Sequence, residues 1–482
     1  MSSTKDTNLN PENRWRCRDK DTDTKNRDTL RTDRNTNTDD LLGHCSDALQ
    51  YALNRGADNV EVYTEIIEQK KVSIASDRIE TIQQLERKGM GIRVFTQKGM
   101  AFASVNALTG PRIKSVIEDS LQLASRSPYY CALPDQDNFP VISLYDPDLN
   151  YMELEEIGEY AQELVDTVKT CNIHIKVESG MVLVTIHKKA IVTSKGIEAS
   201  EMISIAIWEL LGAASDGLFI SDFDYQCEGT HQKSKISMDE AAQRLASGTL
   251  PSLKARTCSH FTGEVIIAPG AVSFLAYYVA EAANASMVEK GVSALTDSLQ
   301  TAIASPCITL YDDALLSNGL ASASFDREGV PHQTLPIIEK GILTSFLHDA
   351  TTASHGQGKS TGHAAGGYRS RPEIESTNLV IPEGKHKIDD IIADVRHGIL
   401  INRLSGAPDI LTGEFSLAVK NCITISNGEL SEPVRGLIFS GNLYTILSNV
   451  TEVSKTSFPL GDGHCPYIRL TPQQLTGNNS SE

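Results

Sequence analysis

Between Asn59 and Val105 the chain offers little but extended segments, and this run limits the fold more than any other feature. "NVEVYTE" alternates apolar and polar residues, "KKVSIAS" and "DRIETIQQL" follow, and "GIRVFTQKGMAFASV" doubles back at Lys98-Gly99. Alternation at period two puts successive side chains on opposite faces of a sheet, so these segments predict antiparallel strands joined by hairpins. Helices bracket them. Asp39 or Asp40 caps a helix that reaches about Asn54 and is stopped by Gly56. Pro111 suits the first turn of a second helix, with Ile113, Val116, Ile117, Leu121 and Ala124 along one face.

The same pattern then returns. After a connection containing Pro128, Pro134, Pro140 and Pro147, residues Leu154, Ile157, Ala161, Leu164, Val165 and Val168 repeat at helical spacing. Strands follow from Ile173 to Leu211, turning at Lys195-Gly196, and a short helix spans Met238 to Ala246. Helix plus antiparallel strands, given twice, predicts an N-terminal α/β domain over residues 41–255. From about His260 the texture changes. "GEVIIAPG" reads as a strand and Ala271 to Met287 as a helix. Many short strands then follow, with turn signals at Asp326–Gly329, Lys340-Gly341, Glu383-Gly384 and Asn427-Gly428. One further helix carries Ile388, Ile391, Ile392 and Val395 and is closed by Gly398. The second domain, 256–482, is therefore expected to be mainly β, a barrel or sandwich, and the fold class α+β.

Residues 1–40 differ from both. Nine basic and nine acidic residues with almost no aliphatics cannot bury enough apolar area to offset the entropy of ordering, so this segment reads as a disordered tail. A formal charge of −18 argues against a nucleic-acid binder, which needs a basic face. The nine cysteines lie far apart, the nearest pair being Cys17 and Cys45, so no CxxC seeds a metal or redox site and a reducing compartment is favoured. No apolar leader is visible, and the longest apolar stretch, Val272 to Ala283, is shorter than the ~18 residues of a membrane span. These features predict a cytoplasmic protein with no membrane partner.

"HGQGKSTGHAAGG", His355 to Gly367, concentrates five glycines, two histidines, a lysine and two hydroxyls. A phosphate loop would need glycine at Ala353 and a helix afterwards; "AAGGYRSRP" is poor helix material. A metal site would use His355 and His363 with His348 or the distant His464-Cys465, but glycine-rich chain does not hold two imidazoles rigidly. Ser360 lacks the strand-turn-helix setting of a nucleophile elbow. On residue chemistry the segment is a tight turn, and Gly358, Lys359, Ser360, Thr361, Gly362 and His363 are candidates to line a peptide cavity.

Several stretches occur together in order: "KKVSIASDRIETIQQLERKGMGIRVFTQKGMAFASV", "GLASASFDREGVP", "IIEKGIL", "GKSTGHAAGG", "TNLVIPEG", "TGEFSLAVKN" and "NGELSEPVRGLIFSGNL". As a set they resemble the TldD/PmbA family of metallopeptidase-complex proteins over roughly residues 45–470. The resemblance implies a two-domain subunit, an α/β domain followed by a β-rich one. It also implies two sister types that pair into a heterodimer around an internal cavity. The TldD type carries a zinc-binding His-Glu-x-x-x-His helix and a later cysteine ligand; the PmbA type, also called TldE, lacks them and serves as partner. An ungapped match puts Ala276, Tyr277 and Glu281 of "PGAVSFLAYYVAEAANASM" where that motif would stand, and no histidine occurs between His260 and His332. Cys465 falls just before the last strand rather than before a glycine-rich stretch.

The leading expectation is thus a PmbA/TldE-type subunit without catalytic or metal residues of its own. Its cofactor, zinc, would lie in a TldD-type partner, and its substrate would be peptide or unfolded protein. A homodimer is left open. The alternatives are a homomeric hydrolase using His355, His363 and Cys465, or a scaffold with no peptidase partner.

Overall fold

The computed structural model describes residues 38–127, 132–356 and 358–477 of the 482. Most of the expected tail lies outside the described residues, but its last three positions do not: helix α1 (Thr38–Asn54) already includes them. Leu41, Cys45, Ala48 and Ala52 form the buried stripe of α1, and Gly56 turns the chain with φ 98°. Strands β1 (Asn59–Ala75), β2 (Arg78–Thr96) and β3 (Gly99–Val105) follow, then α2 (Gly110–Ala124) with Pro111 in its first turn. A short helix, α3 (Pro147–Asn150), precedes α4 (Leu154–Cys171), β4 (Ile175–Thr193), β5 (Glu198–Ala214), β6 (Asp224–Thr230) and α5 (Asp239–Ser252). The six strands form one sheet in the order β3-β2-β1-β4-β5-β6, every neighbouring pair antiparallel.

Alternation along β1 explains the layering. Val60, Val62 and Ile66 pack with α1 and α2; Val72 and Ile74, on the same face, pack with α4 and α5. The intervening residues Glu61, Tyr63 and Glu65 point the other way and are buried too, because the second domain covers that face. Strand β6 was not expected from the sequence. "DYQCEGT" has no apolar alternation, since it is an edge strand whose buried side chains are mostly polar.

The second domain opens with β7 (Arg256–Thr257), β8 (His260–Ile267) and α6 (Pro269–Ala282). Five of its strands close on themselves: β8 pairs with 397–405, which pairs with 414–426, then 437–442, then 463–477, and 463–477 returns to β8. Closure removes free edges and encloses one apolar core, against which α6 packs Val272, Leu275, Ala276 and Val279. The fold class is α+β, as expected, but two boundaries differ. The helix expected over Ala271–Met287 ends at Ala282, and Asn284 caps a separate helix, Ala285–Glu289, through a bond from Ser286 N to its side chain. Gly398 is no helix stop. The helix ends at Ala393, and Gly398 lies inside strand His397–Ser405, where a Cβ would sit 2.5 Å from Val395. Among the described residues, no helix is long and apolar enough to cross a membrane.

Charge holds the domains together. Strand register sets Glu61 directly opposite Arg93. Arg93 Nε donates to Glu61 Oε1 at 3.0 Å, and its Nη2 reaches both Glu61 Oε2 and Glu328 Oε1, the latter at 2.7 Å. From the "FDREG" turn, Arg327 Nη1 donates to Glu61 Oε1 at 3.0 Å, with its guanidinium 3.8 Å from the Tyr63 ring centre. Glu65 accepts from Tyr63 Oη and from the backbone N–H of Tyr368, both at 3.0 Å. Glu61 and Glu328 are fully buried and Arg93 is 2% exposed. Burial pushes the Glu328 carboxyl up to about 7, with Asp326 and Glu61 adding to the rise and Arg93 opposing it.

Three outcomes are expected. Truncating Arg93 to alanine leaves Glu61 and Glu328 facing each other in a dry interface and should cost about 3–5 kcal/mol in urea unfolding. Gly89→Ala should cost about 1–3 kcal/mol, because its Cβ would lie within the Tyr368 ring, 2.1 Å from the nearest atom. Glu328 holds its proton to higher pH in the folded chain than an unfolded glutamate, whose pKa is about 4.3. The folded state therefore binds more protons in that window, and this residue's contribution to stability falls as pH rises from about 4.3 towards about 7. Glu328→Gln carries no such proton, so its stability relative to wild type should improve between about pH 5 and about pH 8. A difference that stays constant across that range would refute the assignment.

Candidate functional site

A cleft of about 1440 Å³ opens between the β6 edge of the first sheet and the second domain. One wall is Asp224–Cys227 of β6 with Arg244 of α5; the other is α6, the 402–411 segment and residues 458–462, where a strand ends in a turn. The exposure pattern of α6 follows from its composition. Ala271, Val272, Leu275, Ala276, Tyr278 and Val279 are buried, which leaves Gly270, Ser273, Phe274 and Tyr277 in a line at helical spacing along the cleft. The aromatic rings brace one another, Phe274 and Tyr277 each lying edge-on to Tyr278 with centroids 5.1 and 5.4 Å apart. Burial, helped by the charge of Glu281, pushes the Tyr278 hydroxyl up to about 12, so it stays neutral.

Charged groups on the walls are already committed. Gln226 Nε2 donates to Asp224 Oδ2 at 2.9 Å, and burial pushes the Asp224 carboxyl up to about 6. Arg244 Nε donates to Gln226 Oε1 at 3.1 Å while its other end pairs with Glu228. Arg403 Nη1 donates to the Phe223 carbonyl at 3.1 Å. The cleft is thus aromatic and apolar with a few fixed polar anchors, a surface suited to holding an extended ligand.

The three positions aligned with a zinc motif do not fit zinc. Ala276 is 4% exposed, and its methyl sits with Val272, Leu275, Val279, Ile308 and Leu310 around an apolar gap. Tyr277 presents a phenol to the cleft, and Glu281 is a single carboxylate. Zinc needs three or four donors held in a tetrahedron, and a methyl group has no lone pair. Among the described residues, no group of three or more His, Cys, Asp or Glu side chains is placed to hold a metal ion. Cys465 is fully buried and its thiol is pushed up to about 12 by burial, while His464 Nε2 lies 3.2 Å from Ser457 Oγ.

The glycine-rich segment lies elsewhere, and none of residues 358–363 is on the cleft walls. Gly358 and Lys359 are exposed; Gln357 lies outside the described residues. Ser360 Oγ and Thr361 N each donate to the His348 carbonyl at 3.1 Å, and His348 N returns a bond to Thr361 Oγ1 at 2.7 Å. Thr361 Oγ1 is 2.8 Å from His363 Nδ1, and His363 Nε2 lies 3.3 Å from Asp312 Oδ1. Burial would raise Asp312, but the charge of His363 and bonds from Thr377 hold it below the usual carboxylate range. Gly362 takes φ 79°, which favours glycine. The segment is a knotted turn leading to Gly367 and Tyr368 at the domain interface.

The alternative hydrolase residues are not brought together. His355 is exposed and pairs with Glu289 at 3.1 Å, His363 is buried beside Asp312, and Cys465 lies inside the barrel core. Sequence reasoning missed the interface charges Glu61, Arg93, Arg327 and Glu328 and the β6 wall. A signal for the first was present, because charges at alternate positions of β1 and the Gly89-x-Gly91 spacing of β2 both mark a face against which another backbone packs.

Comparison with known proteins agrees with this architecture. Residues 261–477 match the model of the PmbA/TldA metallopeptidase C-terminal domain, and residues 60–124 match PmbA/TldA metallopeptidase domain 1. A metalloprotease of Methanocaldococcus jannaschii is 26% identical over 424 residues, covering 85% of this chain and 92% of that protein. A metalloprotease of Methanothermobacter thermautotrophicus is 26% identical over 428 residues, covering 83% and 91%. The crystal structure of TldE from Thermococcus kodakarensis superposes with a TM-score of 0.83 at 21% identity, over 90% of this chain and all of that one, a likeness of fold. Two matched domain models, near full-length metalloprotease relatives and the shared fold together place this chain in the PmbA/TldD metallopeptidase family.

Proposed function

We propose that this chain is the TldE-type, zinc-free partner subunit of a TldD-like metallopeptidase, acting in the cytoplasm on peptides or unfolded protein. The observation that carries the reading is helix α6, where a core-buried Ala276, a cleft-facing Tyr277 and a lone Glu281 stand in place of zinc donors and a general base. Peptide hydrolysis by zinc needs imidazole ligands and a carboxylate to take the proton of the bound water. This helix has neither in position, so zinc and the chemistry of cleavage belong to the sister subunit. What this chain contributes is a wall. Phe274 and Tyr277 offer flat apolar contact, and Arg403 and Asp224 supply fixed polarity along one side of an extended chain. In this reading the exposed Gly358 and Lys359 meet peptide or partner at the outer surface, while Ser360, Thr361, Gly362 and His363 shape the turn behind them.

Zinc content and cleavage decide it. The purified chain should carry far less than one zinc per molecule by atomic emission and leave a fluorogenic peptide uncut. Added to a family member bearing His-Glu-x-x-x-His, it should raise that protein's cleavage of the peptide. One tightly held zinc per chain, or chelator-sensitive cleavage by the chain alone, would overturn the proposal.

A further inference from the structure

Along α6, Phe274, Tyr277 and Tyr278 bring three aromatic rings to the cleft wall. Phe274 and Tyr277 are half-buried, and Tyr278, which neighbours both, is 4% exposed. The two outer rings meet Tyr278 edge-on, tilted 62° and 83° to its plane. Rings set so steeply to a shared ring do not make a flat platform; they enclose a notch with Tyr278 as its floor. The face of an aromatic ring carries negative charge density, so such a notch attracts a cation as well as an apolar group.

Three further features decide between those two ligands. Glu281 follows Tyr277 by four residues and Tyr278 by three, spacings that make side chains neighbours on a helix. Its charge acts on Tyr278, where it helps to hold the phenol neutral. The helix ends at Ala282 with no basic residue in its last turn, so the negative end of the peptide dipoles lies beside the notch and is not offset from within the helix. The charged lining of the cleft leans the same way, with Asp224, Asp409 and Asp462 against Arg244 and Arg403. Arg244 is paired with Glu228 and Glu240, and Arg403 donates to the Phe223 carbonyl. The chain carries −18 overall, which draws in basic rather than acidic ligands. An aromatic side chain would gain from the rings alone. A basic one gains from the rings, the carboxylate and the helix end.

We propose that the Phe274–Tyr277–Tyr278 notch, with Glu281 beside it, is a specificity subsite that takes the basic side chain of a peptide, arginine before lysine. The assignment rests on the cleft-wall role proposed above and adds the class of peptide that the wall selects. A planar guanidinium stacks on ring faces and is more weakly hydrated than an ammonium, hence the order. The subsite does no chemistry; it fixes the register of a chain lying along α6.

Fluorescence anisotropy on the purified full chain tests this with a set of short labelled peptides that differ only at the central residue: arginine, citrulline, phenylalanine or glutamate. Citrulline keeps the shape of arginine without its charge. The arginine peptide should bind about tenfold more tightly than the citrulline peptide, the size of one cation–π contact away from water, and the glutamate peptide should bind weakest. Tyr277→Leu and Glu281→Gln should each lower the arginine-to-citrulline ratio at least about threefold, whereas Tyr277→Phe, which keeps a ring, should preserve it. That ratio compares two ligands on one variant, so a general loss of packing does not move it, and circular dichroism checks folding. Equal binding of arginine and citrulline, tighter binding of phenylalanine, or a ratio untouched by both variants overturns the proposal and leaves the cleft-wall role standing. Failure of every peptide in the set to bind overturns it too, and the zinc and cleavage measurements then judge the wider role by themselves.

Discussion

The guanidinium of Arg93, held between Glu61 of its own sheet and Glu328 of the second domain, is the contact on which the arrangement of the cleft depends. Strand register places Glu61 opposite Arg93 inside the first domain, and only the "FDREG" turn of the second supplies Arg327 and Glu328. Separating the domains would bare a set of charges that were arranged to satisfy one another, so docking is close to all-or-none. Such a network is weak as net stabilisation, because desolvation offsets most of the attraction. Its strength is in geometry. Each charge accepts only partners that come in at one angle; the Tyr368 N–H to Glu65 Oε1 bond fixes the second domain on the sheet, and the Ala350 N–H to Glu328 Oε2 bond holds the charged turn within its own domain. The cleft lies between the same two bodies, so this junction sets its width.

Helix α6 separates two tasks that one element can carry. Its buried side, from Ala271 to Val279, belongs to the barrel core, while Ser273, Phe274 and Tyr277 face the cleft. Residues on the second side can change without disturbing the first. A chain can therefore keep the architecture, superposing on TldE over 90% of its length, while the side chains that face the cleft vary. Fold places a cleft; donors decide what happens in it.

Much of the fold was legible from residues. The alternation of "NVEVYTE", Pro111 at the start of α2 and the helical stripe of α4 each became the element expected, because each rests on local geometry that tertiary contacts reinforced. Other features depended on what packs against the chain. Period two says that the faces of β1 differ, but not that Glu61 and Glu65 are covered by a second domain rather than by water. Strand β6 exists because β5 offers an edge, whatever its own propensity. Gly398 looks like a helix stop until the Val395 side chain is found against it. The glycine-rich segment, read from the sequence as a tight turn, shows the same dependence: reactive side chains lying close in sequence are no site unless they converge, and Ser360, His363 and His355 each face a different neighbour.

A cleft with aromatic walls, committed charges and no convergent nucleophile gains from being closed. In open water, Phe274 and Tyr277 gain little from a passing chain, because the ligand loses conformational freedom for one wall of contact. Enclosure removes water from the remaining sides and strengthens the few fixed polar anchors through the lower local dielectric. Several exposed apolar residues line the cleft, Val292, Leu411 and Leu430 among them. Whatever covers its mouth is paid back in buried apolar area, and the same event completes the binding surface. A ligand that touches both walls therefore binds best when the mouth is covered.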